Sequence, residues 1–163
     1  MKIKALAAAL IISATVITNL HAFGLGAQAN FSTGDIFAPG AAIVISPTRI
    51  AHIAFNWFID PGSTNIIGLT FDLQPVLVPI STFSTGTVNF TMGIGLFTNV
   101  VFDDENTFNG GLRIPIGINI LLARNAFEIY THLAPSFGIH FLPSLGLASP
   151  FFPLALGARF WFN

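Results

Sequence analysis

The stretch "NGGLRIPIGINILL", residues 109–122, places Arg113 among isoleucines and leucines in a chain that is only 8% charged. Read by parity, the even positions from 108 to 120 are Phe, Gly, Leu, Ile, Ile, Ile and Ile. The odd positions from 107 to 119 are Thr, Asn, Gly, Arg, Pro, Gly and Asn. Because successive side chains alternate between the two faces of a β-strand, this period of two predicts a strand with one apolar and one polar face.

The amino terminus predicts export from the cytoplasm. Lys2 and Lys4 precede an apolar run from Ala5 to Ile17, and residues 20–22 (Leu-His-Ala) offer a cleavage site with a small residue. We therefore interpret residues 1–22 as a signal peptide and residues 23–163 as the mature domain. An uncleaved membrane anchor is the alternative, but the apolar run is shorter than the ~20 residues that a spanning helix needs.

The composition excludes several classes of protein. Past residue 22 the chain has four arginines, no lysine and seven acids, a formal net charge of −3, which does not suit binding to nucleic acid. The absence of cysteine excludes disulfides and thiolate metal sites. At 53% hydrophobic residues the chain is too apolar for an ordinary water-exposed surface. We therefore expect lipid to cover it.

Alternating segments of about ten residues, separated by turn-like clusters, recur along the mature chain and are typical of transmembrane β-strands. Eight such strands are predicted, at 23–31, 39–46, 49–59, 64–77, 87–101, 109–122, 126–138 and 152–162. Since an unpaired sheet edge cannot persist in lipid, the sheet must close on itself. The predicted fold is all-β, an eight-stranded antiparallel up-and-down transmembrane β-barrel.

The polar faces of these strands are predicted to line the lumen, the space that the barrel encloses. A soluble calycin-type barrel would instead place its charges outside, but the polar faces here carry few charges and many Gly, Thr and Asn residues. The eighteen phenylalanines are expected to form the interfacial belts. Four charged residues fall on the polar parity and form a predicted lumen charge network: Asp72, Arg113, Glu128 and Arg159.

Charges buried in so narrow a lumen must pair, because eight strands leave only enough room for side chains. We expect Glu128 to bridge Arg113 and Arg159. Asp72 is expected to extend toward them from a more distant strand of the barrel. With both termini in the periplasm, the predicted outer loops are short and lie at 32–38, 60–63, 102–106 and 139–150, which disfavours an adhesin. The last of them is apolar, and either folds back over the barrel mouth or places its leucines in the lipid interface.

An enzyme is not expected. Glu128, His132 and Ser136 share one face, but four residues of strand span about 13 Å, so their side chains cannot touch directly. Some eight-stranded barrels modify lipid A, and the residues weighed for such an activity, His132, His140 and Ser144, are interpreted as hydrogen-bonded lumen or loop residues. A metal pair of His52 and His132 lacks a carboxylate at ligand spacing. We expect neither a metal nor another cofactor.

The terminal sequence "GARFWFN", residues 157–163, resembles the last-strand signal of outer-membrane β-barrels, with Gly157, Phe160 and Phe162 as its matching residues. The resemblance implies the barrel-insertion machinery as a partner. The chain departs from that pattern because Asn163 follows the last aromatic residue. More broadly, residues 23–163 resemble small eight-stranded barrels of the OmpA, OmpX and OmpW kind. The strings "GGLRIPIGINILL", "FEIYTHLAPSFGIHFLP" and "LGARFWF" resemble a spirochaetal family of small outer-membrane barrels with no assigned function.

These resemblances imply a location in the bacterial outer membrane, in contact with its lipid; the sequence identifies no extracellular partner. In OmpA-type barrels a lumen salt-bridge network obstructs conduction, so a structural or surface-interaction role is our first interpretation. The alternative is a narrow, porin-like or OmpW-like passage for small or apolar solutes. It is suggested by the glycines on the lumen parity, which leave less side chain to fill the interior: Gly24, Gly26, Gly68, Gly93, Gly95, Gly111, Gly117 and Gly157.

Overall fold

A computed structural model describes residues 22–31, 39–59, 65–102 and 106–162. Within these ranges the chain forms β1 (Phe23–Phe31), β2 (Gly40–Ser46), β3 (Ala51–Ile59), β4 (Asn65–Phe83), β5 (Gly86–Phe102), β6 (Thr107–Arg113), β7 (Ile116–Leu122), β8 (Phe127–Leu133), β9 (Ser136–Leu142), β10 (Gly146–Leu147) and β11 (Leu154–Phe162). The described part of the chain has no helix long and apolar enough to cross a membrane. Residues 1–21 of the predicted signal peptide and the predicted loops at 32–38 and 60–63 lie outside the described residues.

The strands close into an antiparallel barrel of eight staves, each a single strand or two consecutive strands in line, which confirms the predicted all-β, eight-stranded up-and-down barrel. β1 pairs with β2 and with β11, and β5 pairs with both β6 and β7. β6 and β7 form one stave that is interrupted at Pro115, and β8 and β9 form another that is interrupted at Pro135. The wall stays hydrogen-bonded at these points, because Gly93 N donates to Pro115 O and Ile114 N donates to Pro135 O.

The staves are strongly staggered. The stagger can be measured by tracing one row of paired residues around the ring in both directions from Phe160. In one direction the row passes through β1, β2, β3 and β4 and reaches Leu96 of β5. In the other direction the row passes through β8 and β7 and reaches Gly86 of β5. The two ends of the row are ten residues apart on β5, and this offset is the stagger of the barrel. A closed sheet with this stagger has strongly tilted strands and an interior that is narrow enough for side chains to fill.

Two predicted boundaries are wrong. The predicted loop at 139–150 begins with residues that belong to β9, and the short strand β10 pairs with Ile139 and His140. β4 continues to Phe83, beyond the predicted end at residue 77. Register shifts after Leu73 and after Pro79 hide this extension in the sequence, because a bulge reverses the parity on which the prediction depended. The smaller differences are at residues 49–50, which precede β3, and at 152–153, which precede β11.

The extension of β4 leaves a free strand edge at the end of the barrel that carries both termini. Beyond Gln74, β4 pairs only with β5, because β3 begins at Ala51, the partner of Leu73. Proline cannot donate a backbone hydrogen bond to an incoming strand, so Pro75 and Pro79 protect this edge against pairing with another chain.

Apolar and polar residues occupy opposite sides of the wall. Ile43, Trp57 and Phe160 point outward and are 61%, 59% and 60% exposed, whereas the residues that alternate with them are largely buried. Phenylalanine rings pair near both ends of the outer surface. The pairs are Phe23 with Phe162 and Phe127 with Phe160 near the termini, and Phe108 with Phe141 near the opposite end.

Glycines on the lumen side make room for large neighbours. A Cβ added to Gly24 would lie 2.9 Å from atoms of the Trp161 ring, and one added to Gly157 would overlap the ring and hydroxyl of Tyr130. The space that these glycines leave is therefore already occupied by aromatic side chains from adjacent staves.

We predict that Gly157→Ala lowers the free energy of unfolding by about 1–3 kcal/mol, the usual cost of overpacking a filled interior. The loss should be smaller in a Tyr130→Ala background, which removes the overlapping ring. Urea unfolding of vesicle-reconstituted protein measures both effects. Gly146→Ala is the matched control, since its added Cβ meets no atom within 4 Å. Equal losses at Gly157 with and without the Tyr130 ring would contradict the proposed packing.

Candidate functional site: the packed polar lumen

The four predicted lumen charges all point into the barrel, where none is more than 4% exposed. The structure joins them as two separate ion pairs. Arg113 Nε lies 3.2 Å from Asp72 Oδ1, and Arg159 Nη2 lies 3.0 Å from Glu128 Oε1.

Glu128 pairs with Arg159 as expected, but the expectation that it also bridges Arg113 is wrong, because the stagger of the staves determines which charges meet. Glu128 lies directly opposite Arg159 in the pairing of β8 with β11, while its partner on β7 is Leu121. Arg113 lies opposite Ser136 on one side and opposite Gly95 on the other. The arginine of β6 is therefore at a different level of the barrel from Glu128.

Gly95 brings Asp72 and Arg113 together. The three residues form one row across β4, β5 and β6, with the glycine in the middle. A Cβ on Gly95 would collide with Asp72 Oδ1 and crowd Arg113 Cγ. The carboxylate and the guanidinium can therefore meet only because the residue between them has no side chain.

Glu128 has a partner for each carboxylate oxygen. Oε1 accepts hydrogen bonds from Asn119 Nδ2 at 2.7 Å and from Arg159 at 3.0 Å, and Oε2 accepts one from Trp161 Nε1 at 2.7 Å. Arg159 also donates to Ser46 Oγ at 3.0 Å, and its guanidinium carbon lies 4.2 Å from the centre of the Tyr130 ring. Hydrogen-bonding and aromatic partners therefore surround this second ion pair, although Arg159 Nε makes no hydrogen bond.

Two histidines complete the ion pairs. His132 is the hydrogen-bonded lumen residue that the sequence indicates, but the sequence interpretation assigned neither histidine to an arginine. His132 Nε2 lies 3.1 Å from Arg113 Nη2, and His52 Nδ1 contacts both Arg159 Nη1 and Ser46 Oγ. A guanidinium only donates, so each histidine nitrogen that faces an arginine must be an unprotonated acceptor. Both histidines lie on the polar face of their strands, and this position in the sequence could have indicated that they point into the lumen.

A chain of amides continues the network along the lumen. Tyr130 OH donates to Gln28 Oε1 at 2.9 Å, Gln28 Nε2 donates to Asn30 Oδ1 at 2.8 Å, and Asn30 Nδ2 donates to Asn56 Oδ1 at 3.0 Å. Since these side chains come from β8, β1 and β3, the chain of hydrogen bonds connects staves that are not neighbours.

An apolar cluster closes the lumen at the end opposite the termini. Its members are Phe58, Ile66, Phe97 and Phe151, with Val101 and Ala148 packed against them. Phe151 follows β10 and meets Phe97 edge to face, with ring centres 5.2 Å apart. The segment after β9 does not fold over the barrel mouth but runs back along β9 as part of the wall, with Phe151 bridged to Ser136. Phe151 and Ala148 pack into the apolar cluster from this wall, whereas Leu145 and Leu147 point away and are 79% and 87% exposed.

Arg49, in the turn between β2 and β3, closes the other end of the lumen. Its Nη2 donates to Asn125 O at 3.1 Å, and its guanidinium carbon lies 4.7 Å from the centre of the Trp161 ring. Burial lowers the pKa of this guanidinium from its ordinary value, and the negative charge of Glu128 opposes that shift. The group stays charged near neutral pH, because an arginine pKa lies far above it.

Beside the ion pairs the described lumen is tightly packed. The cavity beside both ion pairs has a volume of about 10 Å³, room for about one water molecule. Its polar lining comes from Gln28, Thr70, Gln74, Tyr130, both histidines, Asp72 and Arg159.

The residues weighed for catalysis have other partners. His132 faces Arg113, Ser136 Oγ donates to Ala134 O at 2.7 Å, and His140 Nδ1 lies 2.6 Å from Asn109 Oδ1. Ser144 is exposed on the segment before β10. Within the described ranges, no three His, Asp or Glu side chains are grouped closely enough to hold a metal ion.

The residues of the predicted terminal signal lie on β11. Phe160 and Phe162 point outward, and Gly157 points inward against Tyr130. Asn163 lies outside the described residues.

Comparison with known proteins gives one similar structure. No family model matches the chain, and no curated protein matches its sequence. Among solved structures, the chain is similar to the N-terminal β-barrel domain of Pseudomonas aeruginosa OprF, with a TM-score of 0.44 and 14% sequence identity. The similarity covers 86% of this chain and 97% of that one. The barrel architecture itself is established by the residue pairing described above.

We predict that Arg159→Ala costs about 3–5 kcal/mol of folding free energy, because it leaves Glu128 buried without its countercharge. A double-mutant cycle of Arg159→Ala with Glu128→Ala should give a coupling energy above about 1 kcal/mol. The matched cycle of Arg113→Ala with Glu128→Ala should give much weaker coupling, because these residues belong to different ion pairs. Urea unfolding in vesicles measures all variants. Equal coupling energies in the two cycles would contradict the two separate ion pairs and favour a single bridge in which Glu128 contacts both arginines.

Proposed function

We propose that this chain is an integral outer-membrane β-barrel with a structural or surface-interaction role and no enzymatic activity. The observation that carries the proposal is the sidedness of the wall. The outward positions are almost uniformly apolar, while both ion pairs and most of the amide side chains point into the enclosed lumen. Such a surface is unfavourable in water, but it matches the hydrocarbon core of a bilayer.

The backbone supports a location in the membrane for an independent reason. Lipid offers no hydrogen-bond partners, so a spanning sheet must satisfy its donors and acceptors internally. Closure between β1 and β11 does this around the main body of the barrel. The free edge of β4 lies at the end that carries the termini, and we propose that this end projects into the periplasm.

The filled lumen favours a structural role over conduction. A passage would require a continuous opening, but an apolar cluster and Arg49 occupy the two ends of the lumen. The cavity between them is about the size of one water molecule. The lumen glycines do not widen the interior, because aromatic and charged side chains of adjacent staves occupy the space above several of them. A narrow passage for small or apolar solutes would need the ion pairs to separate.

We also propose that the barrel-insertion machinery recognises the last strand. The outward rings of Phe160 and Phe162 alternate with inward residues and present a regular apolar face on β11, in support of this proposal. Lipid of the outer membrane would then be the main partner of the assembled barrel.

The proposed location predicts heat-modifiable migration on a gel. A closed barrel that resists detergent stays compact when unboiled, so boiled and unboiled samples of detergent-solubilised protein should run at different positions. The protein should also fractionate with outer membranes. Identical migration of both samples, with the protein in the soluble fraction, would overturn the proposed membrane barrel.

The filled lumen predicts the absence of unitary currents in planar bilayers. Glu128→Ala should also remain closed, because the apolar cluster and Arg49 still occupy both ends of the lumen. Ile43→Ala, which trims an outward side chain, serves as the matched control for effects of mutation on insertion. Resolved unitary currents from the wild-type barrel, or currents gained only in Glu128→Ala, would favour the passage over the structural role.

A further inference from the structure

The outer surface carries a depression at two adjacent positions that lack bulk. Thr98 and Gly110 are direct partners on β5 and β6, and both belong to the outward parity of their strands. A groove of about 490 Å³ lies over them, a volume within the range of about 300–1,000 Å³ that is usual for ligand sites.

Large apolar side chains surround this depression. In the same row, Leu69 lies opposite Thr98 and Ile139 lies opposite Gly110. The next row towards the termini pairs Leu96 with Leu112, each 53% exposed. Phe71 completes one wall, and the inward ring of Phe97 lies beneath the floor. The ring of Phe141 lies close to Gly110, which is buried and whose added Cβ would lie 3.2 Å from Phe141 Cε2. The lining is thus almost entirely apolar, and Thr98 Oγ1 is buried behind it.

From these observations we infer that the groove over Thr98 and Gly110, here called the acyl groove, holds one acyl chain of an outer-leaflet lipid. The inference rests on the proposed membrane location. The acyl groove is continuous with the apolar surface that faces lipid, and it lies in the half of the barrel near the loop between β5 and β6. An empty depression would forfeit dispersion contacts on all its walls, and a flexible hydrocarbon chain can restore them.

Lipid retention after purification tests the acyl groove. Protein would be reconstituted in vesicles of phosphatidylethanolamine, extracted in mild detergent and examined by native mass spectrometry. We expect one phospholipid on the wild-type monomer. Gly110→Leu fills the acyl groove with its own side chain and the displaced ring of Phe141. It should weaken retention about tenfold, the effect of losing contact with roughly two methylene groups. Thr98→Leu should act in the same direction.

Ala29→Leu is the matched control, because it adds the same side chain to the outward face of β1, on the other side of the barrel. It should retain lipid like the wild type. Equal retention by Gly110→Leu, or a lipid-free dimer that Gly110→Leu disrupts, would overturn the acyl groove in favour of general lipid contact or a second copy of the chain. Each variant must show the heat-dependent gel shift. A wild-type protein without that shift would contradict the proposed membrane barrel instead.

Discussion

Every polar group in this barrel must find its partner inside the protein, and the remainder of the structure depends on that constraint. The largely apolar outer surface offers few donors or acceptors, and the cavity beside the ion pairs has room for about one water molecule. Closure between β1 and β11 satisfies the wall outside the free edge of β4. The two ion pairs with their histidine and amide neighbours satisfy most of the polar interior, although Arg113 Nε, Arg159 Nε and Asp72 Oδ1 make no hydrogen bond. Because an uncompensated buried charge is far more costly than a surface charge, these contacts constrain the lumen strongly.

The glycines of the lumen lie next to large side chains from neighbouring strands, which occupy the space that the glycines leave. Gly95 lets Asp72 and Arg113 meet across an intervening strand, and Gly157 accommodates the ring of Tyr130. Glycine on the inner face of a barrel therefore does not by itself indicate an open pore. It indicates space, and the tilt of the neighbouring strands decides whether a side chain from another stave fills that space.

The sequence predicts the staves and their two faces well, because the alternation of apolar and polar residues can be read within each strand alone. It fails in the second half of β4, where two bulges and two prolines interrupt the alternation. It places all four charges in the lumen and pairs Glu128 with Arg159, but it wrongly pairs Arg113 with Glu128 instead of with Asp72. That pairing depends on the ten-residue stagger around the closed ring, which no single strand encodes. The part played by His52 and His132 was missed for the same reason, since each meets its arginine only after closure.

The division between a fixed interior and an adaptable exterior follows from these contacts. A substitution among the ion pairs disturbs partners on several staves, because Arg159 alone contacts side chains on β2, β3 and β8. Outward residues contact fewer protein atoms, and lipid tolerates most apolar shapes. Variation that changes what the protein recognises is therefore least costly on its outer face and at its loops. The small side chain of Thr98 and the absence of one at Gly110 create a depression on this outer face, where it does not weaken the hydrogen bonds and ion pairs of the lumen.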